Sequence, residues 1–206
     1  MRIADPSRAK GPQTGLRLLI APRPWRITSS AMECLPKLAL SVRQPWAWAI
    51  IAGHKPIENR SAGAIRSGNM RPGRICLHAA KGLKQDEFQW GHWRLAKHGV
   101  SCPRPETLPR GAIIGTIEVV EIIDWSDSEW FGGQLGLVLR DPVPIEPIPA
   151  PGALGYFEWA SGGDLVPVLP WMKRFDPMTA DAAAPGLFDD LPLGFETAPK
   201  RPSRRE

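Results

Sequence analysis

Three charged residues whose types and spacing suit chemistry follow directly on an apolar, tryptophan-bearing run at positions 40–51. They form the pattern Gly53-x-Lys55-x-x-Glu58-x-Arg60. Lysine and arginine side chains hold anionic groups, and a glutamate carboxylate accepts hydrogen bonds or a proton. Solvated charges usually scatter among polar residues, whereas these stand where an apolar core should end. Their concentration at this point indicates a binding or catalytic cleft.

The elements predicted around these residues bring the three side chains within reach of one another. Residues 55–60 are predicted to form a strand, in which Glu58 and Arg60 share a face because they are two positions apart. Lys55 lies at the turn that opens the strand, so its side chain can join them. A plainer alternative is an ion pair between Glu58 and Arg60 that only orders the strand, with Lys55 solvated.

The chain as a whole alternates short apolar stretches with turns. Proline and glycine account for 23 and 20 of the 206 residues, which predicts many short elements. Strands are predicted at 37–42, 55–60, 74–79, 112–123, 135–140 and 153–159, and helices at 45–52, at 86–98 and as a single turn at 124–131. A glycine-rich loop is predicted at 61–73 and an extended crossing at 141–152. This organisation favours an α+β fold, a small β-barrel of five or six mixed strands with flanking short helices.

The cysteine and histidine positions argue against a disulfide framework and against a metal site. The three cysteines, Cys34, Cys76 and Cys102, are odd in number and form no CxxC pair, which suits a reducing compartment. Cys76 and His78 share one face of their predicted strand, with apolar residues on the other face. No spacing supplies the two further ligands that a zinc site needs. We therefore expect no metal and no cofactor.

Charge and composition divide the chain into three parts. The 26 lysines and arginines outnumber the 21 aspartates and glutamates, but much of the excess falls near the two ends. Residues 1–36 are predicted to form a flexible basic arm, residues 37–165 the folded domain, and residues 166–206 a mostly disordered tail. No apolar run approaches the roughly 20 residues that cross a bilayer. We expect no membrane association and a cytoplasmic location.

Two features suggest macromolecular partners. The net charge of +5 favours nucleic acid, because basic surface attracts phosphate groups. Segment 184–192 places acidic residues between leucine and phenylalanine, a pattern typical of short motifs that dock in the apolar groove of a partner protein. An unselected linker is the plainer interpretation of this segment.

Several motifs in order resemble those of the ASCH domain family. Besides the pattern from Gly53 to Arg60, they are 40–46 (LSVRQPW), 73–80 (GRICLHAA), 115–119 (GTIEV), 136–139 (GLVL) and 152–157 (GALGYF). The resemblance spans residues 37–160 and implies a barrel similar to the PUA domain. It also implies a cleft between the barrel and its helices that binds RNA or a modified nucleotide or nucleoside.

The resemblance also implies which side chains bind. The expected binding residues are Lys55, Glu58, Arg60, Trp46, Trp48, Arg43 and His78. The basic side chains would contact phosphate or base edges, and the tryptophans would stack on a base. We expect binding rather than catalysis. Replacing Lys55 by alanine is expected to abolish binding while leaving the melting temperature nearly unchanged.

Hydrolysis is the alternative that the resemblance leaves open. Some related proteins remove the acetyl group from N4-acetylcytidine with a Lys, a Thr and a Glu; Lys55 matches their Lys, but Glu58 stands in place of the Thr nucleophile. Glu118 on the long predicted strand, or alternatively Glu121, would then supply the acid, and the set taken as catalytic is Lys55, Glu58 and Glu118. Other members are proposed to cleave RNA, for which Glu58, His78 and Lys55 or Arg60 would serve as base, acid and cation. The plainer role of His78 is that of a hydrogen-bonded rim histidine.

Overall fold

The computed structural model of the protein describes residues 35–177. The strands are β1 Leu38–Val42, β2 Ile57–Arg60, β3 Gly73–Ala79, β4 Ala112–Ile123, β5 Leu135–Pro149 and β6 Tyr156–Glu158. The helices are α1 Trp46–Ile51, α2 Ala62–Ser67, α3 Gln85–Lys97 and α4 Pro170–Lys173, with a 3-10 turn at Pro105–Thr107. The predicted arm up to residue 34 and the predicted docking segment 184–192 lie outside the described residues. Within residues 35–177, no helix is long and apolar enough to cross a membrane.

The six strands form one mixed sheet in the order β2-β5-β4-β3-β1-β6. β1 and β3 run parallel, and every other neighbouring pair in the described sheet is antiparallel. The sheet curls into a half-barrel flanked by the short helices, which confirms the predicted PUA-like α+β fold. The long-range pairing follows from β-branched sequences such as that of β4, whose bounds match the prediction.

The core lies inside the curl of the sheet. Alternation along β3 sends Ile75 and Leu77 inward and leaves Cys76 and His78 on the outer face, as predicted. α1 covers the inner face with Ile50, which packs against the strands. The inner core consists of Leu40, Val42, Ala47, Ile50, Ile65, Met70, Ile75, Leu77, Ala79, Ile114, Ile117, Val119, Leu137 and Leu139.

The two edge strands of the curled sheet, β2 and β6, do not pair with each other through a backbone ladder. We call the place where these two edges approach each other the seam. Among the described strands, β2 pairs only with β5, and β6 pairs only with β1. Tyr156 N donates to Gly68 O across 2.9 Å, just after α2. The two backbones touch there, because a Cβ on Gly68 would lie 2.6 Å from the Cα of Gly155. Close approach of α2 to the start of β6 therefore depends on the absence of a side chain.

The predicted loop at 61–73 is wrong, because it contains α2. Ser61 has extended backbone angles, and its side chain accepts a hydrogen bond from Ala64 N at 3.1 Å, which starts the helix. Ile65 is the buried residue of this helix. The glycines that suggested a loop lie inside the first turn and at the end of the helix. The cap at Ser61 and the buried side chain of Ile65 stabilise the helix despite these glycines.

Two further predictions around the last strands are wrong. No helical turn forms at 124–131; the serines instead stabilise bends, with Ser126 Oγ accepting from Ser128 N at 3.1 Å. The extended crossing predicted after residue 140 belongs to β5, which runs unbroken from 135 to 149 past a bulge at Asp141. The prolines are tolerated because this half of β5 pairs only with β4. Their nitrogens, which carry no hydrogen to donate, can lie on the unpaired side of the strand. The last strand, β6, is shorter than the predicted 153–159.

Residues 166–177 were predicted to be part of a mostly disordered tail, but the structure shows a helix and buried side chains there. α4 buries Met172, and the next buried residue is Phe175. Both pack with Phe88 of α3 in a second core, where the Phe88 and Phe175 rings lie 4.9 Å apart edge to face. The composition of this segment did not predict its packing, because the apolar residues of the segment are few and far apart. Residues 178–206 of the predicted tail lie outside the described part.

Replacing Gly68 by Ala tests the contact at the seam. Its φ of −84° suits any residue, so the cost arises from close contacts of the new Cβ, with Gly155 Cα at 2.6 Å and with Ala64 O at 2.7 Å, and not from backbone strain. We expect the free energy of unfolding, measured by urea denaturation, to fall by about 1–3 kcal/mol. Gly82→Ala is the matched control, since a Cβ there meets nothing within 4 Å. Equal stability of the two variants would contradict the contact.

Candidate functional site

Lys55, Glu58 and Arg60 form one connected group at the seam, which we call the seam cluster. Lys55 Nζ donates to Glu58 Oε2 at 2.6 Å and to Ile57 O at 2.5 Å. Arg60 Nη2 lies 3.2 Å from the other carboxylate oxygen, Glu58 Oε1. The i, i+2 spacing and the turn that predicted this proximity therefore place the three side chains together.

The backbone at the end of α1 turns Lys55 inward. Gly53 has a φ of 80°, which ends the helix in a conformation that favours glycine. The backbone nitrogens of His54 and Lys55 then donate to Ala49 O at 2.8 and 3.1 Å. This tight turn directs the lysine side chain toward β2. Glu58 lies opposite Leu137 of the inner core, so its carboxylate also faces the inside of the curl.

Burial of the cluster overturns the alternative of a solvated lysine. Lys55 is 6% exposed and Glu58 is 8% exposed. Burial by itself raises the pKa of the Glu58 carboxyl, but the charges of Lys55 and Arg60 and their hydrogen bonds outweigh it and hold this pKa below its usual value. The carboxylate is therefore ionised at neutral pH. Loss of either cation would leave the buried carboxylate with a single charged partner.

Arg60 spans the seam. Its Nη2 donates to Ser41 O at 2.8 Å on β1, so one guanidinium joins the edge strand β2 to β1, the neighbour of the other edge strand. Its side chain is 21% exposed, and its Nε is buried without a hydrogen-bond partner. An arginine presents five N–H donors in a planar fork. Arg60 thus keeps a buried Nε donor without a partner, while another part of its side chain reaches solvent.

Trp46 covers the cluster, together with two tryptophans that the sequence did not predict for the site. The ring centroid of Trp46 lies 5.9 Å from Lys55 Nζ, which is within reach of a cation–π interaction. Trp90 of α3 and Trp130 of the loop before β5 approach Trp46 edge to face at 5.3 and 6.5 Å. All three rings are partly exposed. No local sequence signal marks Trp90 or Trp130, because both meet Trp46 only through tertiary packing.

Other predicted site residues lie away from the cluster. Trp48 contacts His54 at 5.4 Å between ring centroids and packs against the second core. Arg43 is exposed and forms an ion pair with Glu87 of α3. Glu118 lies on the outer face of β4, and no hydrogen bond or ion pair within residues 35–177 links it to Lys55 or Glu58.

His78 lies on the outer face of the sheet and is fully engaged. Its Nε2 donates to Ala150 O at 3.0 Å, which leaves Nδ1 to accept the hydroxyl proton of Ser41 at 2.8 Å. Burial lowers the pKa of the imidazole below its usual value. A Cβ on Gly152 would come within 2.4 Å of the ring, so the following loop covers it closely. These contacts match the plainer role, that of a hydrogen-bonded histidine.

The arrangement suits non-covalent binding. The described residues include no group of three or more His, Cys, Asp or Glu side chains placed to hold a metal ion. A cavity of about 60 Å³ lies behind the Lys55 stem. Its lining consists of Ile50, Gly53, Lys55, Pro56, Ile117, Leu139, Arg140 and Pro142. Cations, a fixed carboxylate and aromatic rings can together hold a polar, planar ligand.

Comparisons with known proteins identify related sequences and structures. The family model described as the ASCH domain matches residues 40–161. A crystal structure of ASCH from Zymomonas mobilis aligns at 19% identity with a TM-score of 0.29, over 54% of this chain and 72% of that chain. Two mutant forms of the same protein align at 20% identity, with TM-scores of 0.31 and 0.30, over 54 and 55% of this chain and 72 and 76% of theirs. No curated protein matches the chain at a significant level.

Removal of the buried cation should cost more stability than the sequence suggested. Lys55→Met leaves the Glu58 carboxylate buried beside Arg60 alone, so we expect the free energy of unfolding to fall by about 3 kcal/mol. In Lys55→Met/Glu58→Gln the buried carboxylate is removed as well, and part of the loss should be recovered, because only the partly exposed Arg60 then lacks a charged partner. Urea denaturation measures both variants. Lys173→Met, at an exposed lysine of α4, is the matched control. Equal losses in the single and double variants would show that charge pairing does not stabilise this site.

His78 should make stability depend on pH in the acidic range. Its folded-state pKa lies below the unfolded value of 6.5, so between the two the unfolded chain binds a proton that the folded protein excludes. Stability is therefore fully present above 6.5 and falls as the pH decreases below it. One such group contributes at most about 1.4 kcal/mol per pH unit. His78→Asn should reduce this slope, as measured by urea denaturation at several pH values. An unchanged slope would rule out the neutral, buried state of this histidine.

Proposed function

Because this chain belongs to the ASCH domain family, we propose that it binds RNA or a modified nucleotide at the seam, through Lys55, Glu58 and Arg60. The PUA-like fold of the family is often linked to RNA binding. The ligand would lie where the barrel edge meets the tryptophan-bearing helices. Arg60 would contact a phosphate or base edge, and the Glu58 carboxylate would fix the orientation of the guanidinium.

The observation that carries this proposal is the burial of two opposite charges, Lys55 and Glu58, with the partly exposed Arg60 beside them at the seam. Apolar side chains of similar size would usually stabilise a core as well as a buried ion pair or better, so stability alone gives little reason for this cluster. Charged groups shifted from their usual pKa by specific partners are typical of functional sites. Glu58 is such a group, and Arg60 beside it retains unused donors.

The charge balance favours a short ligand. Residues 35–177 carry sixteen lysines and arginines against fourteen aspartates and glutamates. Proteins that follow a long stretch of backbone neutralise many phosphates with a basic surface. A nearly balanced domain instead suits recognition of one or a few nucleotides at a defined site. The basic residues near the two ends of the chain lie outside the described part.

The same geometry favours binding over hydrolysis. Lys55 Nζ donates to Glu58 and to a backbone carbonyl, so it acts as a hydrogen-bond donor and not as a base. Each Glu58 oxygen already has a cationic partner. Glu118 lies on the other face of the sheet, away from both residues. We therefore propose no second function. The cytoplasmic location and a partner for segment 184–192 stay predictions.

Arg60→Lys tests the binding site with a small change. Lysine keeps the charge but cannot reproduce the planar fork of donors, so we expect the affinity for a labelled single-stranded RNA to fall roughly tenfold or more. Fluorescence anisotropy measures the affinity, and circular dichroism checks the fold. The matched control is Arg104→Lys, at a partly exposed arginine paired with Glu106 beside the 3-10 turn.

A second variant separates binding from folding. Lys55→Met/Glu58→Gln removes one positive and one negative charge and leaves only the partly exposed Arg60 without a charged partner, so it should fold and bind weakly. Wild-type affinity in both this variant and Arg60→Lys would refute the site. Absence of RNA binding by the wild-type chain would refute the function itself.

A further inference from the structure

Three tryptophans from separate parts of the chain converge over the seam cluster. Trp46 opens α1, Trp90 lies within α3, and Trp130 precedes β5. Trp46 stands nearly perpendicular to both of the others, at interplanar angles of 74° and 81°. We call these three residues the tryptophan wall. Its Trp46 ring lies over the ammonium group of Lys55, 5.9 Å from Nζ to the ring centroid.

The ring of Trp90 is brought to the wall by close helix packing. A Cβ on Gly91 would lie 2.6 Å from Pro45 Cγ and 3.5 Å from the ring of Trp46. α3 therefore packs directly against the start of α1, with no side chain between them. This places the neighbouring position, Trp90, beside Trp46.

The ring of Trp130 is fixed from three directions. Asn59 Nδ2 donates to Trp130 O at 2.9 Å, and Asn59 Oδ1 accepts from Gly132 N at 3.1 Å. His98 stacks on the Trp130 ring at 4.1 Å and 25°. Arg94 Nη2 donates to Glu129 O at 2.6 Å, which ties the loop to α3. The rings are thus held in place before any ligand arrives.

From this geometry we infer that the tryptophan wall stacks on the base of an unpaired nucleotide whose polar groups reach Lys55, Glu58 and Arg60. The inference rests on the proposed function and adds to it the part of the ligand that is recognised. Tryptophan rings fixed in advance give a large contact area at little entropic cost, and every base has a face that stacks. Cations beside the rings add attraction for a phosphate-bearing ligand.

The inference makes the ligand single-stranded. A base within a duplex is already stacked on its neighbours, and its faces are closed to a protein ring. The wall should therefore discriminate against duplex RNA. It should equally discriminate against a sugar–phosphate chain that lacks bases. These two probes separate stacking from simple phosphate attraction.

Trp130→Leu and Trp90→Leu test the wall in the full chain, because leucine keeps apolar packing but offers no ring. We expect each to weaken binding of a short labelled single-stranded RNA roughly 5- to 150-fold. Binding of an abasic ribose-phosphate oligomer, weak in the wild type, should stay unchanged. Trp125→Leu is the matched control in the same loop, since Trp125 is 38% exposed and makes no ring contact with the wall. Circular dichroism confirms that each variant folds.

The outcomes distinguish the wall from the site beneath it. Wild-type RNA affinity in both wall variants, together with weakened binding in Arg60→Lys, would refute the wall and leave the proposed function standing. Equal affinity of the wild-type chain for RNA and for the abasic oligomer would also refute the wall. No RNA binding by the wild-type chain would overturn both proposals.

Discussion

The fold depends on how a curled sheet whose edges do not pair is held closed. Backbone ladders join the neighbouring strands of the described sheet, whereas at the seam a side-chain bond from Arg60 to Ser41 O and a single backbone bond from Tyr156 N to Gly68 O take their place. A side chain thus replaces part of a ladder. The guanidinium is partly buried in this position, and the Glu58 carboxylate beside it compensates its charge. Lys55 then balances the second oxygen. The charged cluster thus lies where the half-barrel closes.

This arrangement combines structure and binding in the same residues. A closed ladder would leave no polar groups at this point, whereas a side-chain bridge leaves donors that can turn toward a ligand. The bridge is also rigid, because Glu58 fixes the guanidinium and α1 fixes the lysine turn. A site built on strands and helix ends in this way is positioned before binding, which lowers the entropic cost of recognition.

Local patterns in the sequence predicted those features that depend on neighbouring residues. The faces of β3 and the bounds of β4 follow from alternation and β-branching, and the contact between Glu58 and Arg60 follows from their spacing.

Features set by tertiary contacts were missed or misjudged. Trp90 joins the site only because Gly91 lets two helices touch, and the burial of Lys55 depends on the distant curl of the sheet. α2 was missed because its glycines outweighed the cap at Ser61. The second half of β5 was not predicted because of its prolines, since no local sequence pattern shows that one edge of this strand is unpaired.

The free edge of β5 has a consequence for the behaviour of the protein at high concentration. Beyond Leu139, where the backbone nitrogen still donates to Pro56 O, this strand pairs on one side only. Prolines at 142, 144, 147 and 149 remove amide donors from this half of the strand. A strand from another molecule would find too few donors there to extend the sheet. The same residues that disguise the strand in the sequence therefore protect the domain against edge-to-edge aggregation.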